Sequence, residues 1–199
     1  MVAKNTYSLS EVVRNGTSLI YTKLFYKGAR LIRRPVFVRG KKYLKYETGL
    51  TTGYNCRIEM FDTGKGVDKK LIIGKNCKMG DYVHIAVGER IEIGANVLMG
   101  SKILISDLNH GNYSEICPES TPNTPPDKRP IHTKIVVIGN NVWIGDNVCV
   151  LPGVKVGDGA IIGANSVVTK DIPDKSIAIG SPAKVIKVYD EKLKMWIKK

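Results

Sequence analysis

The chain has 199 residues, 43% of them hydrophobic and 25% charged, the balance of a single globular domain with a sizeable core. No stretch is apolar enough to span a bilayer, and the N-terminus lacks the apolar run and small-residue cleavage site of a secretory leader, so a cytoplasmic chain is expected. The formal net charge of +13 is uneven, because residues 1–47 hold eleven Lys or Arg against Glu11 and Glu47.

In chain order, the first expected element is a helix over residues 8–26. Leu9, Val12, Val13, Leu19, Ile20, Leu24 and Phe25 have amphipathic spacing, and Ser8 or Ser10 is placed to cap it. A basic run follows, with Arg30, Arg33, Arg34, Arg39, Lys41, Lys42 and Lys45. An anionic membrane surface, an anionic glycan or a nucleic acid would suit such a charge, and no nucleic-acid-binding motif accompanies it. Helix and cations together suggest peripheral contact with a membrane. The plainer alternative is a cap packed on the first repeats or on a partner subunit. Residues 1–47 form this N-terminal extension.

A six-residue period then takes over, with a degenerate start around Leu50 to Phe61. Ile73, Met79 and Ile85 are followed by Gly74, Gly80 and Ala86; after a slip of two residues Ile93, Met99 and Ile105 are followed by Gly94, Gly100 and Ser106. A second block runs Ile138, Ile144, Val150, Val156, Ile162, Val168. Apolar residues at this spacing do not stay on one face of a helix, and strict alternation with hairpin turns is absent. Each hexad instead supplies a short strand and a corner, relaxed by the glycine. Three hexads make one triangular coil, and stacked coils bury an aliphatic column. An all-β fold, a parallel β-helix over residues 48–188, is expected.

Ile105 and Ile138 are 33 residues apart, not a multiple of six, so a loop is inserted at about 107–133. It holds Pro118, Pro122, Pro125, Pro126 and Pro130 with His110 and His132, and Tyr113, Ile116 and Ile131 as candidate packing anchors. A long non-repeating loop in a compact solenoid is usually functional. The end, 189–199, reads as a short helix. Cys56, Cys77, Cys117 and Cys149 form no C-x-x-C pair and read as free thiols.

Several segments go beyond the hexad: Asp107-Leu108-Asn109-His110, Arg129-Pro130-Ile131, Ile138-Gly139-Asn140-Asn141-Val142-Trp143-Ile144-Gly145, and Gly180-Ser181-Pro182-Ala183-Lys184. With these the chain resembles the hexapeptide-repeat acyltransferase superfamily. Within it the chain is similar to galactoside and maltose acetyltransferases and to lipopolysaccharide or capsule O-acetyltransferases of the WbbJ type. The basic extension leans toward the second group. The galactoside enzymes' sugar-binding Asn and Asp have no clean match in Gly80-Asp81-Tyr82-Val83-His84, which sets a simple galactoside acceptor aside.

The resemblance implies a left-handed winding, a homotrimer with sites between subunits, acetyl-CoA as co-substrate and no metal. It implies transfer to a sugar hydroxyl, for example in O-antigen or capsular polysaccharide synthesis. His110 is the implied base, with Asp107 orienting it, contacting the acceptor or capping a turn; His132 is the second choice. Asn109, Trp143, Asp81 and His84 are candidates for the acceptor. Trp143, Asp146, Ala164, Thr169, Lys170, Lys184 and Lys187 are candidates for coenzyme A, and the Trp143–Asp146 turn for oxyanion donors. Two other classes stay open: a zinc enzyme of the γ-carbonic anhydrase type, using His84, His110 and His132, and a non-catalytic scaffold.

Overall fold

The computed structural model describes residues 6–64, 66, 68–113 and 120–199. Cys117, Ile116 and Pro118 of the inserted loop lie outside them. Most of the described chain is short strand in parallel sheets, with one α-helix.

Helix α1 (Leu9–Phe25) opens with a capping box at Ser8, whose hydroxyl accepts from the Glu11 N–H while the Glu11 carboxylate accepts from the Ser8 N–H. The strands then come in threes. β1 (Leu31–Ile32) and β2 (Val36–Arg39) are followed by β3 (Leu44–Tyr46), β4 (Thr51–Thr52) and β5 (Cys56–Met60). Next are β6 (Leu71–Ile73), β7 (Lys78–Met79) and β8 (His84–Val87), then β9 (Ile91–Ile93), β10 (Leu98–Met99) and β11 (Leu104–Ser106). The inserted segment carries β12 (Leu108–His110) and β13 (Ile131–Thr133). Coils resume with β14 (Val136–Ile138), β15 (Trp143–Ile144) and β16 (Cys149–Val150), then β17 (Lys155–Val156), β18 (Ile161–Ile162) and β19 (Val167–Val168). The chain ends with β20 (Ser176–Ile179), β21 (Lys184–Asp190) and β22 (Met195–Lys198).

Three sheets are visited in rotation, as stacked three-sided coils require. One runs β1-β4-β7-β10-β15-β18-β20-β21-β22, a second β19-β16-β11-β8-β5-β2, a third β17-β14-β9-β6-β3. They are called the first, second and third sheet below. Parallel pairing begins at Leu31 and Val36, so the coils start inside the segment read as an extension from sequence. The hexad aliphatics Ile73, Ile85, Ile105, Ile138, Ile144, Val150, Val156, Ile162 and Val168 are all buried in one column. Each contributes about 2 kcal/mol by leaving water.

The glycine after each aliphatic works differently from the expectation. A Cβ on Gly94 would lie 2.7 Å from the Gly139 carbonyl of the next coil, and one on Gly100 would lie 2.1 Å from Asp146 Oδ1. Close stacking of coils, not backbone freedom, demands these glycines. The left-handed backbone sits two positions later and is taken by Asn76, Asn96, Asn141, Asn147 and Asn165, with φ of 56–60°. Their amides bond from coil to coil, as in Asn76 to Asn96 at 3.2 Å and Asn96 to Asn141 at 3.1 Å.

The C-terminal helix expected over 189–199 is not formed. β21 and β22 are an antiparallel hairpin on the end of the first sheet. Val185, Ile186 and Val188 favour strand, and Asp190 Oδ1 accepts the N–H groups of Lys192 and Leu193 at 2.8 Å to start the turn. Lys194 closes it with φ 51°, and Tyr189 packs on Trp196 with ring centroids 5.4 Å apart.

Candidate active site

The site is built at the corner between the second and third sheets. This corner is short at Gly88–Arg90, after β8, but residues 61–70 and 107–135 widen it one coil before and one coil after. The slip of two in the hexads is the Gly88–Arg90 corner itself.

Asp107 locks the three layers together. Its side chain is 0% exposed, and Oδ1 accepts the Gly88 N–H at 2.6 Å while Oδ2 accepts those of Glu89 and Arg90 at 2.8 and 2.6 Å. Burial pushes its carboxyl above the ordinary carboxylate range, against the pull of those three N–H groups. The other side of the same corner is held by Lys70, 1% exposed, whose ammonium donates to the Gly88 carbonyl at 2.6 Å and lies 5.3 Å from the Tyr43 ring centroid. Thr63 donates to that carbonyl too, at 2.9 Å. A buried carboxylate and a buried ammonium thus grip the amide N–H and the carbonyl of one residue. The hydrogen bonds of Asp107 are those of a turn cap, made at the root of the hairpin that carries His110.

From this anchor β12 runs out antiparallel to β13, pairing Leu108 with Thr133, Asn109 with His132 and His110 with Ile131. Opposed residues share a face of a two-stranded ribbon and neighbours alternate. His110 therefore shares the Ile131 face, and His132 shares the Asn109 face. His110 is exposed. Its carbonyl accepts from the Tyr113 hydroxyl, which accepts from Arg129 Nη1 at 2.8 Å, and Arg129 Nε donates to the Thr124 carbonyl at 2.8 Å. Gly111 donates to the Pro130 carbonyl at 2.9 Å and has φ +113°, with Tyr113 and Ser120 too close for a Cβ. Tyr113 and Ile131, expected as packing anchors, are exposed; Tyr113 serves as a hydrogen-bonded strut instead.

The three histidines are not brought together. His84 lies outward on the second sheet, with Nε2 3.1 Å from Glu59 Oε2. Glu59 is nearly buried and also receives Arg57 Nε at 2.6 Å and Arg39 Nη1 at 3.1 Å. The Arg57 hydrogen bond, with smaller pulls from His84 and from the charges of Arg57 and Arg39, holds its carboxyl below the usual range against burial. His132 has its Nε2 buried without a partner among the described residues. Among those residues of one chain no group of three His, Cys, Asp or Glu is arranged to hold a metal. The Cys56 thiol is pushed up to about 11 by burial, as expected for an inert packed cysteine.

Asp81 and Asp146 turn out to share a repeated corner role. Asp81 Oδ1 accepts the Tyr54 N–H at 2.7 Å and Asp146 Oδ1 the Ser101 N–H at 2.6 Å, just as Asp158 does for Asn140 and Asp174 for Asp158. The signal was present as an Asp, Asn or Ser two places after Met79, Met99, Ile138, Ile144 and Val156.

Thr169 and Lys170 are exposed just beyond β19. The register Ile105–Val150–Val168 aligns Thr169 with Ser106, two strands away. At about 4.8 Å per strand, Thr169 lies about 10 Å from the point where the His110 hairpin departs. Ala183 donates to the Val167 carbonyl at 2.8 Å, so the turn before the exposed Lys184 lies along β19. Lys187 is exposed on β21 opposite Ile177. Trp143 and Ala164 are exposed on or beside the first sheet, Trp143 between Leu98 and Ile161. Within one chain His110 and Trp143 therefore belong to different edges.

Residues 135–170 match the family model for bacterial transferase hexapeptides (six repeats). Over 192 residues, 96% of this chain and 95% of the relative, the sequence is 40% identical to the lipopolysaccharide biosynthesis O-acetyl transferase WbbJ of Escherichia coli strain K12. The chain belongs to the hexapeptide-repeat acyltransferase superfamily. This acyltransferase is also 32% identical over 161 residues to the galactoside O-acetyltransferase of the same organism, covering 79% of the chain and 73% of that protein. Its fold is similar to that of AntD, an N-acyltransferase from Bacillus cereus solved as a variant with dTDP-4-amino-4,6-dideoxyglucose and coenzyme A: the TM-score is 0.67 at 20% identity, over 94% of this chain and 92% of AntD.

Lys70, Thr63, Tyr113 and Arg129 complete the scaffold of the acyltransferase's inserted hairpin and were not singled out as functional from sequence. For Lys70 the one available signal was a lysine abutting the apolar strand Leu71-Ile72-Ile73. Tyr113 and Arg129 stood in the loop and motif without an indication that they bond to each other.

Proposed function

We propose that the chain transfers an acetyl group from acetyl-CoA to a sugar hydroxyl, in the assembly of a lipopolysaccharide O-antigen or capsular polysaccharide. The observation that carries this is the exposed His110 on a hairpin anchored by Asp107, at the same sheet edge to which Thr169 and Lys170 lead. In this reading the coils wind left-handed and three chains associate. Trp143 of one subunit then faces the His110 hairpin of its neighbour.

The chemistry is direct attack. The neutral His110 imidazole takes the acceptor's proton as its oxygen attacks the thioester carbonyl. Backbone N–H groups of the Trp143–Asp146 turn receive the oxyanion. Collapse of the tetrahedral intermediate breaks the C–S bond, and the imidazolium returns the proton to the departing CoA thiolate. His84 and Trp143 contact the acceptor, with Asp81 holding the adjoining corner, while Asn109 stands on the other face of the ribbon. The pantetheine arm runs past Ala164 and Asp146, and Thr169, Lys170, Lys184 and Lys187 receive the nucleotide phosphates. The acceptor is a lipid-linked glycan presented at the inner face of the cytoplasmic membrane, where the enzyme is peripheral.

An acceptor screen with acetyl-CoA, read by thiol release, tests the reading. Release that depends on a sugar hydroxyl supports it. Release with amine acceptors alone, or none with any saccharide while coenzyme A still binds, contradicts it.

A further inference from the structure

Helix α1 is mounted with its polar side inward. Thr22 Oγ1 accepts the Ile32 N–H at 2.8 Å, Ser18 Oγ accepts the Arg34 N–H at 3.2 Å, and Asn15 Oδ1 accepts from Arg33 Nε at 3.0 Å and the Tyr54 hydroxyl at 3.2 Å. Ser18 and Thr22 are the helix's buried residues. The apolar side faces away from the coils: Leu9 is 81% exposed, Ile20 63% and Leu24 70%, with Val12 and Val13 exposed beside them. At 100° per residue these five fall within an arc of about 120°. A helix packed as a simple cap would have the reverse arrangement. Here the polar contacts fix the helix to the coils and leave the apolar stripe free.

The surroundings of that stripe are cationic. Residues 6–47 carry ten Lys or Arg and two Glu, and of the ten only Arg39 forms an ion pair with a carboxylate among the described residues. A groove on one side of the helix is lined by Arg30, Arg33 and Lys78, and a groove on the other by Arg14 and Arg34. Lys23 is exposed within the apolar arc itself. No described helix is long and apolar enough to cross a membrane. A second copy laid on this face would bring like charges into contact, whereas anionic headgroups would neutralise them.

We infer that the outward face of α1 is an interfacial helix that docks the enzyme onto a bilayer containing anionic lipid. Leu9, Val13, Ile20 and Leu24 enter the headgroup–acyl boundary, and the exposed Arg14, Lys23 and Arg30 side chains sit at the phosphates. The inference deepens the proposed membrane-presented acceptor and rests on that reading for its purpose, while its geometry stands on α1 alone.

The test is co-sedimentation of the full chain with vesicles of phosphatidylcholine alone and of phosphatidylcholine with 30% phosphatidylglycerol (a composition of about one anionic lipid in three). The wild type is expected to partition at least tenfold more onto the anionic vesicles and to lose that preference in high salt. The double variant Ile20→Glu/Leu24→Glu, which leaves Ser18 and Thr22 in place, is expected to stay in the supernatant with unchanged circular dichroism and an unchanged oligomeric state. Equal partition of wild type and variant, or no wild-type binding, overturns the inference. Dissociation of the oligomer in the variant also overturns it, by assigning the face to a second copy. Thiol release with a soluble saccharide acceptor is read in parallel, so that failed catalysis with intact vesicle binding counts against the proposed function and not against the docking surface.

Discussion

The coil corners and the root of the inserted hairpin use the same bond, a carboxylate accepting a backbone N–H from the neighbouring coil. At the corners it is repeated: Asp81, Asp146, Asp158 and Asp174 each cap one N–H of the preceding coil. At the hairpin it is concentrated: Asp107 alone accepts three N–H groups from a fully buried position. Repetition spreads stability over many weak, replaceable bonds, as in any solenoid. Concentration places one expensive group where the repeat is broken and a side chain must be held away from the coils. The difference separates what stacks from what is aimed.

Substitutions sharpen this contrast. Asp107→Ala leaves three N–H groups, one buried and two part-buried, without acceptors and frees the hairpin that carries His110; a loss of about 3 kcal/mol or more in urea unfolding is expected. Turnover should fall in step. Gly94→Ala drives a Cβ against the Gly139 backbone, 2.7 Å away. It should cost about 2 kcal/mol without changing turnover per folded molecule. Glu59→Gln weakens the Arg39, Arg57 and His84 cluster by about 1.5 kcal/mol at neutral pH. Because the folded Glu59 carboxyl lies below its ordinary value, its contribution is present above about pH 4.3 and fades as the pH falls through the folded value. The stability gap between Glu59→Gln and wild type should therefore narrow on acidification. Asp146→Ala removes one exposed corner bond and should cost about 0.5 kcal/mol, the smallest effect of the series. A loss as large as that of Asp107→Ala would erase the distinction between corner and root.

Much of this arrangement was legible in the sequence. The hexad aliphatics became the buried column, the phase break began at Asp107, and Ser8 capped the first helix. What escaped depended on contacts between distant residues. That Gly94 faces Gly139, or that Lys70 and Asp107 meet at Gly88, follows from stacking and has no local pattern. The amphipathic spacing of α1 was visible, but its facing was decided by Asn15, Ser18 and Thr22 finding partners on the first coil. The corner-cap role of Asp81 and Asp146, each accepting a backbone N–H from the preceding coil, lay in their place in the repeat and not in a motif. The C-terminal helix failed because Val185, Ile186 and Val188 could extend the first sheet, which an isolated reading of 189–199 does not register.

The central proposal is that the inserted hairpin aims His110 at the reaction. Comparing kcat of His110→Ala with that of His132→Ala, which lies on the opposite face of the same ribbon, tests it most directly. Acetyl transfer should fall about 1,000-fold in His110→Ala, with coenzyme A affinity and oligomeric state unchanged, and less than about tenfold in His132→Ala. Near wild-type turnover in His110→Ala, or an equal fall in His132→Ala, would contradict the claim.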